Sequence, residues 1–147
     1  MNTYVEGYWC EVVAYYPDGG MEWFLGGYRA TSPRLAVRWL RGQALRLANA
    51  LDPIPGMGPL PPEALQEANP KAPNPGHILR KWAGDQRAQD WQMAELVDGR
   101  SFAVMSGGPD RLMGHSDLDL YYALEVRPMV RSFVTDWRLQ EVTYVAA

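Results

Sequence analysis

The sequence predicts an α+β single domain: an N-terminal β-hairpin plus helix, a Pro-rich crossing segment, a helical region, and C-terminal strands completing one sheet. Three observations predict it. A run rich in Val, Tyr and Trp meets a strong turn and returns. A helical repeat of apolar residues then begins at a marked cap. Eight of the twelve prolines fall between residues 52 and 76, so the chain crosses there without long regular structure. The two sides of that crossing are too short for separate cores, which predicts one domain over residues 1–147.

Residues 4–16 form the first predicted strand. Val5, Trp9, Val13 and Tyr15 share one face, and Tyr4, Tyr8, Cys10, Val12 and Tyr16 share the other. Apolar residues on both faces predict a central strand, or one covered on both sides. Pro17-Asp18-Gly19-Gly20 is the turn, because proline presets φ and glycine tolerates positive φ. Residues 21–29 return as the second strand, with Gly26-Gly27 marking a bulge or a close backbone approach. The helix over 33–51 opens at Thr31 or Ser32 with Pro33 in its first turn. Ala36, Trp39, Leu40, Ala44, Leu47 and Leu51 make its core-facing stripe.

In the 52–76 loop, only Pro62–Ala68 has helical character. Pro59-Leu60-Pro61-Pro62 has the composition of an extended docking segment. Helical pattern resumes at Ile78, is interrupted at Gly84-Asp85, and continues through Val97 to an end at Asp98-Gly99. Trp91, Ala94, Leu96 and Val97 are its expected buried side. Residues 101–106 read as a short buried strand, and Gly107–Asp110 as a turn. Residues 117–126 fit either a helix or a strand. Residues 129–146 fit either two strands turning near Asp136-Trp137, or a helix followed by a strand over Gln140–Ala146.

Composition narrows the function classes. The 147 residues are 47% hydrophobic with a net charge of −3, which excludes wholesale disorder and weighs against a broadly nucleic-acid-binding surface. One cysteine excludes an intrachain disulfide and a multi-cysteine zinc site. There is no apolar run long enough to span a membrane and no basic-then-apolar leader at the start, so the expectation is cytoplasmic. Arginine far outnumbers lysine beside many Ala, Gly and Pro, which reads as a GC-rich coding source, and the small size of the chain suggests the style of a bacterial or phage protein.

The strongest chemical pattern is Phe102–Gly108 followed by Ser116-Asp117-Leu118-Asp119-Leu120. On a strand, Asp117 and Asp119 share a face and suit a divalent cation such as magnesium, with Glu141 as a third carboxylate. This stretch resembles the minimal nucleotidyltransferase family. The resemblance implies that Gly107 and Gly108 line a triphosphate, that Asp117 and Asp119 bind metal, and that phosphoryl or nucleotidyl transfer results. The sequence departs from that family in having Gly107-Gly108 where the family has Gly-Ser, and Glu where its third carboxylate is Asp. The competing reading makes Ser116–Asp119 a capping box at a helix start. His77 and His115 sit in Gly-containing turns without metal-ligand spacing, and Cys10 reads as a buried, inert thiol.

Arg34, Arg38 and Arg41 line one side of the 33–51 helix, with Arg46 nearby, a face able to contact phosphates weakly or to lie in solvent. Tyr8, Trp9, Tyr15, Tyr16, Trp23, Phe24 and Tyr28 exceed what one small sheet face hides, which predicts a contiguous aromatic recognition surface. The leading expectation is therefore a small non-enzymatic binding protein without a cofactor. Its partner would be another protein or a second copy of itself. Magnesium enters only under the alternative, and neither a membrane nor a nucleic acid is the expected partner.

Overall fold

The computed structural model describes residues 2–67, 70–112 and 115–133. Among these residues, four strands and three α-helices follow in the order β1 (Asn2–Tyr16), β2 (Met21–Ala30), α1 (Pro33–Leu51), α2 (Pro75–Ala83), α3 (Gln86–Val97), β3 (Phe102–Leu112) and β4 (His115–Phe133). The strands make one antiparallel sheet in the order β2-β1-β4-β3. Two hairpins thus meet along β1 and β4, and the expected α+β single-sheet architecture is what forms. Among the described residues between α1 and α2, regular structure is a 3-10 turn at Pro62–Ala64, and Leu65–Glu67 of the expected helix are not helical.

Local chemistry explains the boundaries. Gly20 takes φ 63° and its N–H donates to the Pro17 carbonyl, closing the β1–β2 turn. The Ser32 hydroxyl accepts from the Leu35 N–H, and Pro33 follows it, so α1 starts where cap chemistry places it. Asn74 and Asp85 cap α2 and α3 in the same way, accepting from His77 and Ala88. Gly99, at φ 81°, ends α3 in a Schellman motif: its N–H donates to Leu96 and the Arg100 N–H to Glu95. Arg80 fastens α2 to the end of α1. Its guanidinium donates to the Asp52 carboxylate at 3.1 Å, the Asp52 carbonyl at 2.7 Å and the Asn49 side chain at 3.2 Å.

The core lies between one face of the sheet and the helices. Tyr8, Cys10, Val12 and Ala14 of β1, Leu120, Tyr122, Leu124 and Val126 of β4, and Phe102 and Val104 of β3 meet Ala36, Leu40, Ala44 and Leu47 of α1, Leu79 and Trp82 of α2, and Leu96 of α3. Gly108 is backed by the Pro73 carbonyl and the Pro75 ring, so the Pro-rich segment re-enters the fold against β3. Gly76 lies where an added Cβ would stand 2.6 Å from Asp52, which seats α2 tightly on the end of α1.

Several expectations need correction. Gly107–Asp110 is not a turn; β3 runs through it and pairs with Leu118–Tyr121. Pro109 is tolerated because β3 is an edge strand, where a missing N–H donor costs little. The 101–106 run is buried on one face only, with Ala103 and Met105 exposed. Residues 117–126 are strand, so Ser116–Asp119 does not cap a helix. Trp91, Ala94 and Val97 are exposed; Gln89 and Leu96 form the buried side of α3. The Gln89 amide is drawn inward because it donates to the last carbonyls of α2, Trp82 and Ala83. His77 lies exposed in the first turn of α2. The expectations for 134–146, including a strand over Gln140–Ala146, lie outside the described residues.

Candidate binding surface

Side chains alternate across a strand, so the register of the sheet fixes what its second face carries. Four rows cross it. Arg29, Trp9 and Arg127 are direct cross-strand neighbours. The next row is Gly27, Glu11, Glu125 and Ala103, and the next is Phe24, Val13, Ala123 and Met105. Glu22, Tyr15, Tyr121 and Gly107 follow. Every helix contributing to the core packs on the opposite face.

The relief of this face follows from residue size. Val13 and Ala123 are small, sit in the central strands and are buried as a floor. Phe24 and Met105 flank them at 63% and 52% exposure, high values for large apolar side chains. A shallow groove of about 380 Å³ lies over this floor, lined also by Met105, Met21, Tyr15, Glu11, Glu125 and Glu22. Two glycines allow aromatic rings to lie flat beside it. An added Cβ at Gly27 would stand 2.8 Å from both the Trp9 and Phe24 rings, and Tyr121 lies over Gly107 in the same manner. Tyr121 also stacks on Tyr15, with ring centroids 5.4 Å apart.

Charges are ordered along the strands. Trp9 Nε1 donates to Glu11 Oε2 at 2.9 Å, and Arg127 lies 3.9 Å from the same carboxylate. A bulge at Glu6 lets that residue face both Arg29 at 3.7 Å and Arg131 at 3.5 Å. Arg131 is held above its ordinary pKa by its hydrogen bond to Tyr4 and then by Glu6. Glu125, directly opposite Glu11, has no hydrogen bond or ion pair among the described residues.

The seven aromatic residues expected to form one surface are divided by the sheet. Trp9, Tyr15 and Phe24 lie on the open face. Tyr8 is buried in the core, and Tyr16 and Trp23 are half-buried against it. Tyr28 stacks on Trp39 of α1, with centroids 5.8 Å apart. A single contiguous aromatic cluster does not form among them. The arginine stripe is divided too. Arg41 donates to the Ala83 carbonyl at 2.9 Å and so clamps the end of α2. Arg34 and Arg38 stay exposed.

For the magnesium alternative, β4 carries both Asp117 and Asp119, and Asp119 is exposed. Glu141 lies outside the described residues. The space beside Gly107 is filled by Tyr121, and beside Gly108 by Pro73 and Pro75, where the resemblance placed phosphates. Among the described residues, no group of three or more His, Cys, Asp or Glu is arranged to hold a metal ion. None of their helices is long and apolar enough to cross a membrane.

Glu11, Glu125, Tyr121 and Met105 are the residues of this face that sequence reasoning missed. A signal for two of them, Tyr121 and Glu125, was present. From 119 to 127, Asp, Tyr, Ala, Glu and Arg alternate with Leu, Tyr, Leu and Val, the period of a half-buried strand. No protein-family model matches the chain, and no curated protein or solved structure shows significant similarity to it.

Proposed function

We propose that this chain is a small non-enzymatic binding protein that docks a protein partner on the open face of its sheet. The observation that carries the reading is the groove over Val13 and Ala123, with Phe24 and Met105 standing exposed beside it. A sheet with one covered and one bare face normally makes the bare face polar. Here the face that the described residues leave bare keeps large apolar side chains around a concavity, the arrangement that interface cores use. Trp9, Tyr15 and Tyr121 add half-exposed rings whose bodies are apolar and whose edges form hydrogen bonds.

The test is selection of a random displayed dodecapeptide library on the purified protein, followed by mapping of the bound peptides through amide chemical shifts. Shifts concentrated at Val13, Phe24, Met105 and Ala123 are expected, as is loss of binding in the F24S/M105S variant. Shifts confined to the helical side, or no selected peptide at all, overturn the reading.

A further inference from the structure

We infer that the segment docking on this face presents an arginine or lysine between apolar residues, its cation held by Glu11 and Glu125 and its neighbours seated on Val13, Ala123 and Met105. The inference rests on the binding reading above and gives the partner a chemistry. Among the described residues the groove is lined by three carboxylates, Glu11, Glu22 and Glu125, and by no lysine or arginine. Glu11 and Glu125 face each other across neighbouring strands, a placement in which like charges repel. Glu11 is engaged by Trp9 and by Arg127, whereas Glu125 has no partner among the described residues. An incoming cation supplies that partner and removes the repulsion.

The apolar floor decides what carries the cation. A hydrated metal ion gains nothing from Val13, Ala123 and Met105, and the described residues offer no three-ligand cluster to replace its water. The aliphatic stem of an arginine or lysine covers such a floor while its head reaches the carboxylates. An arginine also fits two acceptors side by side through its planar fork.

A second copy of the chain is a poorer occupant. A two-fold axis lying between β1 and β4 along the strands seats the Val13–Ala123 floor of one copy on that of the other, and sets Glu11 of one copy against Glu125 of the other, acid against acid. The net charge of −3 adds to that repulsion and also favours a basic partner.

The dodecapeptide selection separates these outcomes when repeated on E11Q/E125Q. That variant removes a repulsive pair without changing shape, and its melting curve verifies its fold. Peptides enriched in arginine or lysine flanked by apolar residues are expected on the wild-type protein. They should shift the amides of Glu11, Val13, Ala123 and Glu125, bind E11Q/E125Q about ten-fold more weakly, and lose affinity as salt rises. Peptides that map to this face yet carry no basic residue, or bind E11Q/E125Q equally well, overturn the inference and leave the binding reading standing. A dimer in solution whose contacts map to this face overturns it as well, with the second copy as occupant. Peptides mapping elsewhere, or none selected, overturn both.

Discussion

Cys10 and Glu11 are consecutive residues of one central strand, and they belong to two different worlds. Cys10 is fully buried under the helices among Val12, Leu40 and Leu124, while Glu11 faces water beside a second glutamate. The covered face is consistent at every level: strand formers, apolar side chains and close contact with three helices. The open face breaks local rules, with like charges opposite each other and large apolar side chains left in solvent. Departures of this kind concentrate where a molecule does something besides fold. The comparison therefore separates residues that hold the sheet together from residues available to a partner.

The largest expected effect tests that separation directly. Leu124 is fully buried in β4, and Leu124→Ala should cost about 3–4 kcal/mol of unfolding free energy through lost burial and the cavity left behind. Met105→Ala, on the neighbouring strand but half-exposed on the open face, should cost less than about 1 kcal/mol. Urea denaturation of both variants reads the difference. Equal losses would mean that the open face is covered and bears load as the core does.

A second pair of variants sharpens the account of the open face. Gly27→Ala places a methyl 2.8 Å from the rings of Trp9 and Phe24, so one ring must leave its seat; a loss of about 1–3 kcal/mol is expected. Gly42→Ala meets nothing within 4 Å on the exposed side of α1, and should raise stability by about 1 kcal/mol through helix propensity. Thermal melting of the two variants in opposite directions checks both. A neutral Gly27→Ala would show that the rings are free to swing away.

Much of the fold was legible because local chemistry and tertiary packing agree there. Pro17–Gly20, Ser32-Pro33, Asp85 and Asp98-Gly99 each punctuate the chain where turn and cap geometry demand. Elements were misread where a nonlocal partner decides. Gly107–Asp110 carries turn residues, yet pairing with β4 draws it into an edge strand. Trp91 looks like a core residue, yet Gln89 takes the inward side because α2 needs donors for its last carbonyls. The composition of the aromatic hairpin predicts one surface because it does not say which rings the helices cover. Only the register of four strands brings Glu11 beside Glu125, more than a hundred residues apart in sequence.

Alkaline titration probes the covered side of the Cys10–Glu11 boundary. Burial pushes the Cys10 thiol from 9.0 up to about 11, because the thiolate is poorly solvated there. Below about pH 9 the thiol stays protonated in both the folded and unfolded chains, and its contribution is fully present. Between about pH 9 and 11 the unfolded chain ionises first and binds fewer protons, so stability falls as pH rises. At pH 10 the loss should reach about 1 kcal/mol. Comparing wild type with Cys10→Ala at each pH isolates it from the tyrosines, since only the difference between the two curves belongs to the thiol. Parallel curves across that window would place Cys10 in contact with water and dissolve the contrast with Glu11.

The smallest effect lies at the centre of the open face. Glu125→Gln removes one of two facing charges and takes no hydrogen bond with it, so the free protein should gain about 0.5 kcal/mol. Glu11→Gln removes the same repulsion but weakens the acceptor of Trp9 Nε1 and the pairing with Arg127. Its gain should be smaller or absent. Salt distinguishes this from a packing effect: screening shrinks the advantage of Glu125→Gln as ionic strength rises, whereas a packing change persists. A gain in stability accompanied by weaker peptide binding would identify Glu125 as a residue that the folded chain tolerates for the sake of its partner. A loss of stability on neutralising Glu125 would instead show that the carboxylate already has a partner within the protein, and the groove would then have no unmatched charge to offer.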